Sequence, residues 1–106
     1  MANTTTIVVH GPLSETAEVV GAVEGFDGVW DSDGSSFIVT PTRSSQVVVS
    51  YDWLGELVDV NILDREDLDL AGRVWRALLA GLPYELELLE AGTLEVIERR
   101  PAPAVS

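Results

Sequence analysis

Few side chains in this sequence combine the types and spacing that catalysis requires, and His10 and Ser14 are the first pair to consider. A histidine close to a serine can activate the hydroxyl group as a nucleophile. The sequence has no Gly-x-Ser-x-Gly elbow, which would present such a serine, and no other nucleophile signature. We therefore predict that the chain is not an enzyme and has no catalytic residues. We expect His10 to end a strand and to be satisfied by local hydrogen bonds.

Metal-binding residue types are scarce as well. The chain has one histidine and no cysteine, so a zinc site would need several carboxylates or water. The segment Asp31-Ser32-Asp33-Gly34 resembles the start of an EF-hand calcium loop, but its glycine is fourth instead of sixth, and Thr42 stands where the loop needs glutamate. A hairpin turn explains the segment, and we predict neither a metal site nor a cofactor.

Negative charge is concentrated between Asp52 and Asp69, where seven acidic residues outnumber one arginine and contribute −6 to the net charge of −12. Such residues are often simply solvated positions of loops and outer faces. Their density also fits a surface that receives a basic partner. Trp53 is either an aromatic anchor of that surface or a residue that caps the open end of the core. The predicted partner-binding residues are Asp52, Trp53, Glu56, Asp59, Glu66, Asp67 and Asp69.

Composition argues against several other functions. A net charge of −12 disfavours direct binding to nucleic acid or to an anionic membrane, because phosphate contacts need positive charge. No run of residues approaches the ~18 apolar residues of a membrane span, and the first residues lack the features of a signal peptide. The absence of cysteine fits a reducing compartment. We therefore expect a cytoplasmic protein.

The acidic residues must be positioned by a hairpin and a helix, which apolar periodicity predicts between Gln46 and Leu82. Two alternating runs fold at Leu54-Gly55 so that apolar residues meet across the strands and Asp52 faces Leu57. The predicted pairs are Val47 with Ile62, Val49 with Val60 and Tyr51 with Val58. A helix follows, with Asp64 as its N-cap and with Gly81 and Pro83 at its end.

The segments before this hairpin predict three further strands and a helix. The first strand, from Thr5 to His10, contains continuous apolar residues and is predicted to be buried on both faces. Ser14 caps a helix that runs to about Gly25. The dipeptide Asp33-Gly34 is a strong hairpin signal. In the resulting hairpin the predicted pairs are Trp30 with Phe37 and Val29 with Ile38.

A last hairpin is predicted after the second helix, with a three-residue loop from Glu90 to Gly92. The predicted pairs are Leu88 with Leu94 and Leu86 with Val96. This register sets Glu87 opposite Glu95 on the outer face. Because opposed like charges cost stability, the register indicates that this face is wet or meets something basic.

The predicted fold is α+β, with two layers: a mostly antiparallel sheet, in the order β-α-β-β-β-β-α-β-β, and two helices on one face. Residues 1–100 form a single domain and residues 101–106 a frayed C-terminal tail. Local patterns do not determine the strand order. One possibility is a first strand that runs parallel to a neighbour through the first helix, as in ferredoxin-like folds.

In size and charge the chain is similar to small acidic α+β proteins of bacterial immunity or antitoxin type. The acidic surface and this resemblance together predict a protein-binding module that masks a basic partner, such as a nuclease toxin or another nucleic-acid-binding protein. The alternative is an oligomeric structural or chaperone-like subunit, for example a homodimer formed through a spare edge strand or through Leu89 and Ile97. A small enzyme would instead require a pocket that gathers carboxylates with raised pKa.

Overall fold

A computed structural model describes residues 3–23, 25–52, 54–64, 69–90 and 95–102. These residues form strands and helices in the predicted order. The elements are β1 (Asn3–Val9), α1 (Leu13–Gly21), β2 (Gly28–Trp30), β3 (Ser36–Thr42), β4 (Ser45–Tyr51), β5 (Val58–Asp64), α2 (Leu70–Gly81), β6 (Leu86–Leu89) and β7 (Val96–Arg100).

The strands form one antiparallel sheet in the order β2-β3-β4-β5-β1-β6-β7. The helices contact each other and the sheet, α1 at β4 and α2 at β5. The core lies between these two layers, and the predicted α+β fold is confirmed. Within the described ranges, no helix is long and apolar enough to cross a membrane.

The central hairpin of β4 and β5 has the predicted register. The observed pairs include Val47 with Ile62, Val49 with Val60 and Tyr51 with Val58. The Asp52 N–H donates to the Leu57 carbonyl at 2.7 Å, which confirms that these residues face each other at the turn. The register follows from burial, because a slip of one residue would turn the apolar side chains away from the helices.

The hairpin of β2 and β3 is also as predicted, with Trp30 opposite Phe37 and Val29 opposite Ile38. In its turn, the Ser35 N–H donates to Asp31 Oδ1 at 2.9 Å and to Asp33 Oδ1 at 3.0 Å. Hydrogen bonds, chiefly from the Ser35 hydroxyl, lower the pKa of Asp33 from 3.8 to about 2. Asp31 and Asp33, which belong to the segment that resembles a calcium loop, therefore stabilise the turn of this hairpin.

β1 differs from its prediction in two ways. It is antiparallel to both neighbours, β5 and β6, so the parallel arrangement is wrong. After α1 the chain continues at the far edge of the sheet with β2. The meander from β2 to β5 then leads back to β1, and β5 runs antiparallel to it. β1 is also not buried on both faces. Ile7 and Val9 are in the core, whereas Val8 points away from the helices and is half-buried.

The helix boundaries differ from the predicted ones. α1 begins at Leu13 and ends at Gly21, short of Gly25. Ser14 is not its N-cap, because Pro12 takes that position and its carbonyl accepts the Thr16 N–H at 3.2 Å.

α2 begins at Leu70, so the predicted cap at Asp64 is wrong as well. Asp64 is the last residue of β5 and is buried, with its Oδ1 3.5 Å from the Ser45 hydroxyl. Pairing with β1 extends β5 to this residue, since Asp64 lies opposite Asn3.

The hairpin of β6 and β7 has a different register from the predicted one. The observed pairs are Leu86 with Arg100, Glu87 with Arg99 and Leu88 with Glu98. The predicted pairs Leu88–Leu94 and Leu86–Val96 are therefore wrong, and Glu87 opposes a cation instead of Glu95. The register is shifted by four residues, an even number, so the alternation of side chains between the two faces did not reveal the error.

Candidate functional site

The sheet face opposite the helices is the candidate functional surface. It carries the side chains that alternate with the core residues, and no described helix packs against it. We call it the uncovered face. It is lined by polar, charged and aliphatic side chains, most of them half-buried by their neighbours on the sheet.

Charged residues form a row across this face. Asp59 is paired with Ser50 and with Val8, Val8 is paired with Glu87, and Glu87 is paired with Arg99. Residues directly opposite each other on neighbouring strands point to the same face. Because strands lie about 4.8 Å apart, Asp59 and Glu87 are about 10 Å from each other.

Three further residues lie beside this row, at the same end of the sheet. Asp52 comes two positions after Ser50, His10 two positions after Val8, and Glu85 two positions before Glu87. Because side chains two positions apart along a strand point to the same face, these residues lie on the same side of the sheet as the row. The His10 N–H donates to the Glu85 carbonyl at 3.0 Å, which fixes these two backbones together. We call His10, Asp52, Asp59, Glu85 and Glu87 the acidic corner.

Asp59 lies in an unfavourable environment for a negative charge. Partial burial and, second, the negative charge of Asp52 raise the pKa of Asp59 above its ordinary value of 3.8. Both causes act against the ionised form. The negative charge of Asp52 therefore acts on a carboxylate that solvent screens only in part.

His10 is placed between two carboxylates. Its Nε2 lies 3.2 Å from Glu85 Oε2 and 3.2 Å from Glu87 Oε1. These contacts replace the local hydrogen bonds expected from the sequence, since both glutamates are more than seventy residues away along the chain. The three ligand-type atoms lie within 4.8 Å of one another, so this group could hold a metal ion.

Arg99 adds a positive charge at the edge of the acidic corner. Its Nη2 donates to Glu85 Oε1 at 2.9 Å. This hydrogen bond is the main reason that the pKa of Glu85 is lowered below its ordinary value. Arg99 therefore keeps Glu85 ionised and holds one of its oxygens, while the other oxygen faces His10.

The structure brings together some of the predicted partner-binding residues. Asp52 and Asp59 share the acidic corner, and Glu56 is exposed in the adjoining turn, where its N–H donates to Asp52 Oδ1 at 3.0 Å. Asp69 lies apart from them at the start of α2, and its carboxylate accepts a hydrogen bond from Arg76 at 3.0 Å. The predicted residues that lie outside the described part of the chain are Trp53, Glu66 and Asp67.

The predicted partner-binding residues do not include His10, Glu85 and Glu87, which the fold places in the acidic corner. The sequence signal for the glutamates was present, because alternation already placed Glu85 and Glu87 on an outer face. The missing information was the strand order. Only the position of β1 between β5 and β6 brings these residues to the same end of the sheet as Asp59.

The residues of the acidic corner line none of three cavities in the structure. These cavities, of 280, 310 and 320 Å³, lie elsewhere, near the β3–β4 turn and along α1 and the end of α2. Asp59, whose pKa is raised, lines none of these three cavities. The acidic corner therefore presents hydrogen-bond acceptors and negative charge on the uncovered face of the sheet.

Comparison of the chain with family models, with curated proteins and with solved structures found no match.

Proposed function

We propose that this protein is a small acidic protein-binding module that masks the basic surface of a partner protein, in the manner of an immunity or antitoxin inhibitor in the cytoplasm. The observation that carries the proposal is the placement of Asp52 and Asp59. Both carboxylates lie at the turn end of the β4–β5 hairpin, where Asp59 is partly buried and the charge of Asp52 acts against its ionised form. Such an arrangement lowers stability unless a cation lies nearby.

A basic partner would relieve this unfavourable arrangement. An arginine or lysine side chain seated over Asp52 and Asp59 would compensate the desolvated charge, and perturbed carboxylates of this kind are frequent at functional sites. Residues that lower the stability of the fold are typical of functional surfaces, where binding is selected at the expense of stability. The unfavourable charge arrangement thus supports a binding role for the acidic corner.

The net charge limits the class of partner. At −12, the chain repels nucleic acid and attracts basic proteins, and such attraction accelerates encounter at low salt. A nuclease toxin or another nucleic-acid-binding protein presents the complementary charge. Inhibition would then consist of occupying the surface with which that partner contacts phosphate.

Two variants with equal net charge test the proposal. In Asp52→Asn/Asp59→Asn the acidic corner loses two charges, and in Glu15→Gln/Glu18→Gln the exposed face of α1 loses two. Each variant and the unaltered chain serve as bait in the host lysate, with elution by a salt gradient. We expect the unaltered chain and the α1 variant to retain one basic protein that the corner variant does not retain. Equal retention by all three baits would contradict the proposal.

A second function is favoured by the edge strand β7. Val96 and Ile97 are 52% and 56% exposed there, which is unusual for large aliphatic side chains next to an unpaired strand edge. The alternative proposal is a structural subunit that forms a homodimer through β7. Sedimentation of the unaltered chain and of Ile97→Glu would distinguish the two, because a dimer of this kind resists salt and is lost in the variant.

A further inference from the structure

The group formed by His10, Glu85 and Glu87 has the composition of a metal site. It combines one imidazole nitrogen with two carboxylate oxygens, which are donors that zinc and neighbouring transition metals accept. The side chains of His10, Glu85 and Glu87 are 32%, 21% and 24% exposed, so the donors are partly shielded from solvent but still accessible to an ion. The role proposed above for Asp52 and Asp59 does not require this group.

The distances between the donor atoms fit a small tetrahedral ion. In a tetrahedron with metal–ligand bonds of about 2.0–2.2 Å, neighbouring ligand atoms lie about 3.3–3.6 Å apart. His10 Nε2 lies 3.2 Å from Glu85 Oε2 and 3.2 Å from Glu87 Oε1. Two edges of the tetrahedron are therefore nearly formed, and small side-chain rotations would complete the third.

The backbone holds these donors on rigid elements. Glu87 is in β6 opposite Val8 of β1, and His10 follows β1 and donates its N–H to the Glu85 carbonyl at 3.0 Å. Arg99 donates to Glu85 Oε1 and leaves Oε2 directed at His10. Metal-binding carboxylates commonly have such an outer hydrogen-bond partner, which orients them and fixes their charge.

The local charge also favours a divalent cation. Two carboxylates and the guanidinium of Arg99 leave one net negative charge when the imidazole is neutral. We propose that His10, Glu85 and Glu87 bind one Zn²⁺ ion through three protein ligands. The fourth position faces solvent at the acidic corner, where a water molecule or an atom of another molecule completes the coordination.

The same geometry is also compatible with a protonated imidazole that forms two ion pairs in the absence of metal. The experiment must therefore be done where imidazole is neutral, because a histidine ligand has to be deprotonated. Since the chain has one histidine, the signals of its ring report on this site without ambiguity.

The test uses the full chain without a histidine tag, freed of metal with a chelator, at about pH 8. Zinc chloride is titrated by calorimetry and, in a separate sample, followed through the nitrogen resonances of the single imidazole. We expect one Zn²⁺ per chain and a large shift of the Nε2 resonance. In His10→Gln and in Glu87→Gln the affinity falls by at least about tenfold, whereas Glu18→Gln on α1 binds like the unaltered chain.

The opposite results overturn the inference. An imidazole that does not shift when soluble zinc is in molar excess over the chain excludes His10 as a ligand. Equal zinc affinity in the unaltered chain and in both ligand variants places any bound metal elsewhere. Circular dichroism identifies a variant that fails to fold, and the imidazole shift of the unaltered chain then decides the question. The Asp52→Asn/Asp59→Asn variant keeps all three ligands, so loss of partner binding and loss of zinc binding are separate outcomes.

Discussion

The partial burial of Asp59 links the charge of this side chain to the stability of the fold. Its pKa is raised mainly by partial burial, so the folded state favours the protonated form more than the unfolded state does. For an acid shifted in this direction, the folded state is destabilised above the folded-state pKa. This destabilisation diminishes as the pH falls and is absent below the unfolded value of 3.8. At neutral pH the charge of Asp59 therefore lowers the free energy of unfolding.

Replacement of Asp59 by asparagine is predicted to stabilise the protein at pH 7. Solvent screens this partly exposed group, and with that screening included the expected gain in the free energy of unfolding is about 0.5 kcal/mol. Urea unfolding at pH 7 and at pH 3 measures it, and the gain should disappear at pH 3. A loss of stability at pH 7, or a gain that does not depend on pH, would contradict the assigned cause. Glu18→Gln serves as the exposed control.

At the scale of secondary-structure elements, β7 is attached to α2 as well as to β6. The Arg100 guanidinium donates to the carbonyls of Leu79 at 3.2 Å and of Tyr84 at 2.8 Å, and also to that of Leu82. The Leu79 carbonyl lies in the last turn of α2 and the Leu82 carbonyl at its C-cap, where intrahelical donors are missing, and the Tyr84 carbonyl lies two residues further on. Arg100 therefore closes the C-terminal end of the helix with a charge-assisted contact.

Replacement of Arg100 by glutamine should destabilise the fold substantially. The expected loss is about 1.5–3 kcal/mol, because the partly buried carbonyls lose hydrogen bonds from a charged donor. Chemical unfolding compares this variant with Arg43→Gln, which alters an exposed arginine in the β3–β4 turn. Similar stability of both variants would mean that Arg100 contributes nothing to the joint between β7 and α2.

The edge strand β2 depends on a close approach between its backbone and an aromatic ring. A Cβ atom at Gly28 would lie 2.0 Å from Cζ of Phe37, and Phe37 is itself in the core. Gly28→Ala is therefore expected to cost about 1–3 kcal/mol through overpacking. On the same strand, the exposed Val29 can be replaced by threonine with a change within about 0.5 kcal/mol. Thermal unfolding of the two variants distinguishes these outcomes.

The elements also show which parts of the fold the sequence can predict. The pairs from Val47–Ile62 to Tyr51–Val58 could be predicted, because a slip of one residue would have buried polar side chains. The register of β6 and β7 could not be predicted from alternation, since a shift of four residues preserves it. Charge was the more informative signal. The rejected register opposes Glu87 to Glu95, and the observed one opposes Glu87 to Arg99.

The whole molecule determines which charges meet. The position of β1 between β5 and β6 depends on contacts between residues far apart in sequence, which no local pattern encodes. That position brings Asp59 and Glu87 into one row, while Asp69 is carried to the helix layer. The fold thus separates Asp69 from Asp52 and Asp59. It also brings Asp52 and Asp59 to the same end of the sheet as His10, Glu85 and Glu87, which are distant in sequence.

One measurement tests most directly whether the acidic corner is the surface that receives basic partners. A short arginine-rich peptide is titrated into the isotopically labelled chain at low salt, and the backbone amide shifts are mapped by NMR. The largest shifts are predicted at Ser50, Asp52, Asp59 and Glu87, and they should diminish with added salt and in Asp52→Asn/Asp59→Asn. Shifts of equal size at Glu15 and Glu18 on α1, unchanged by that variant, would contradict the account.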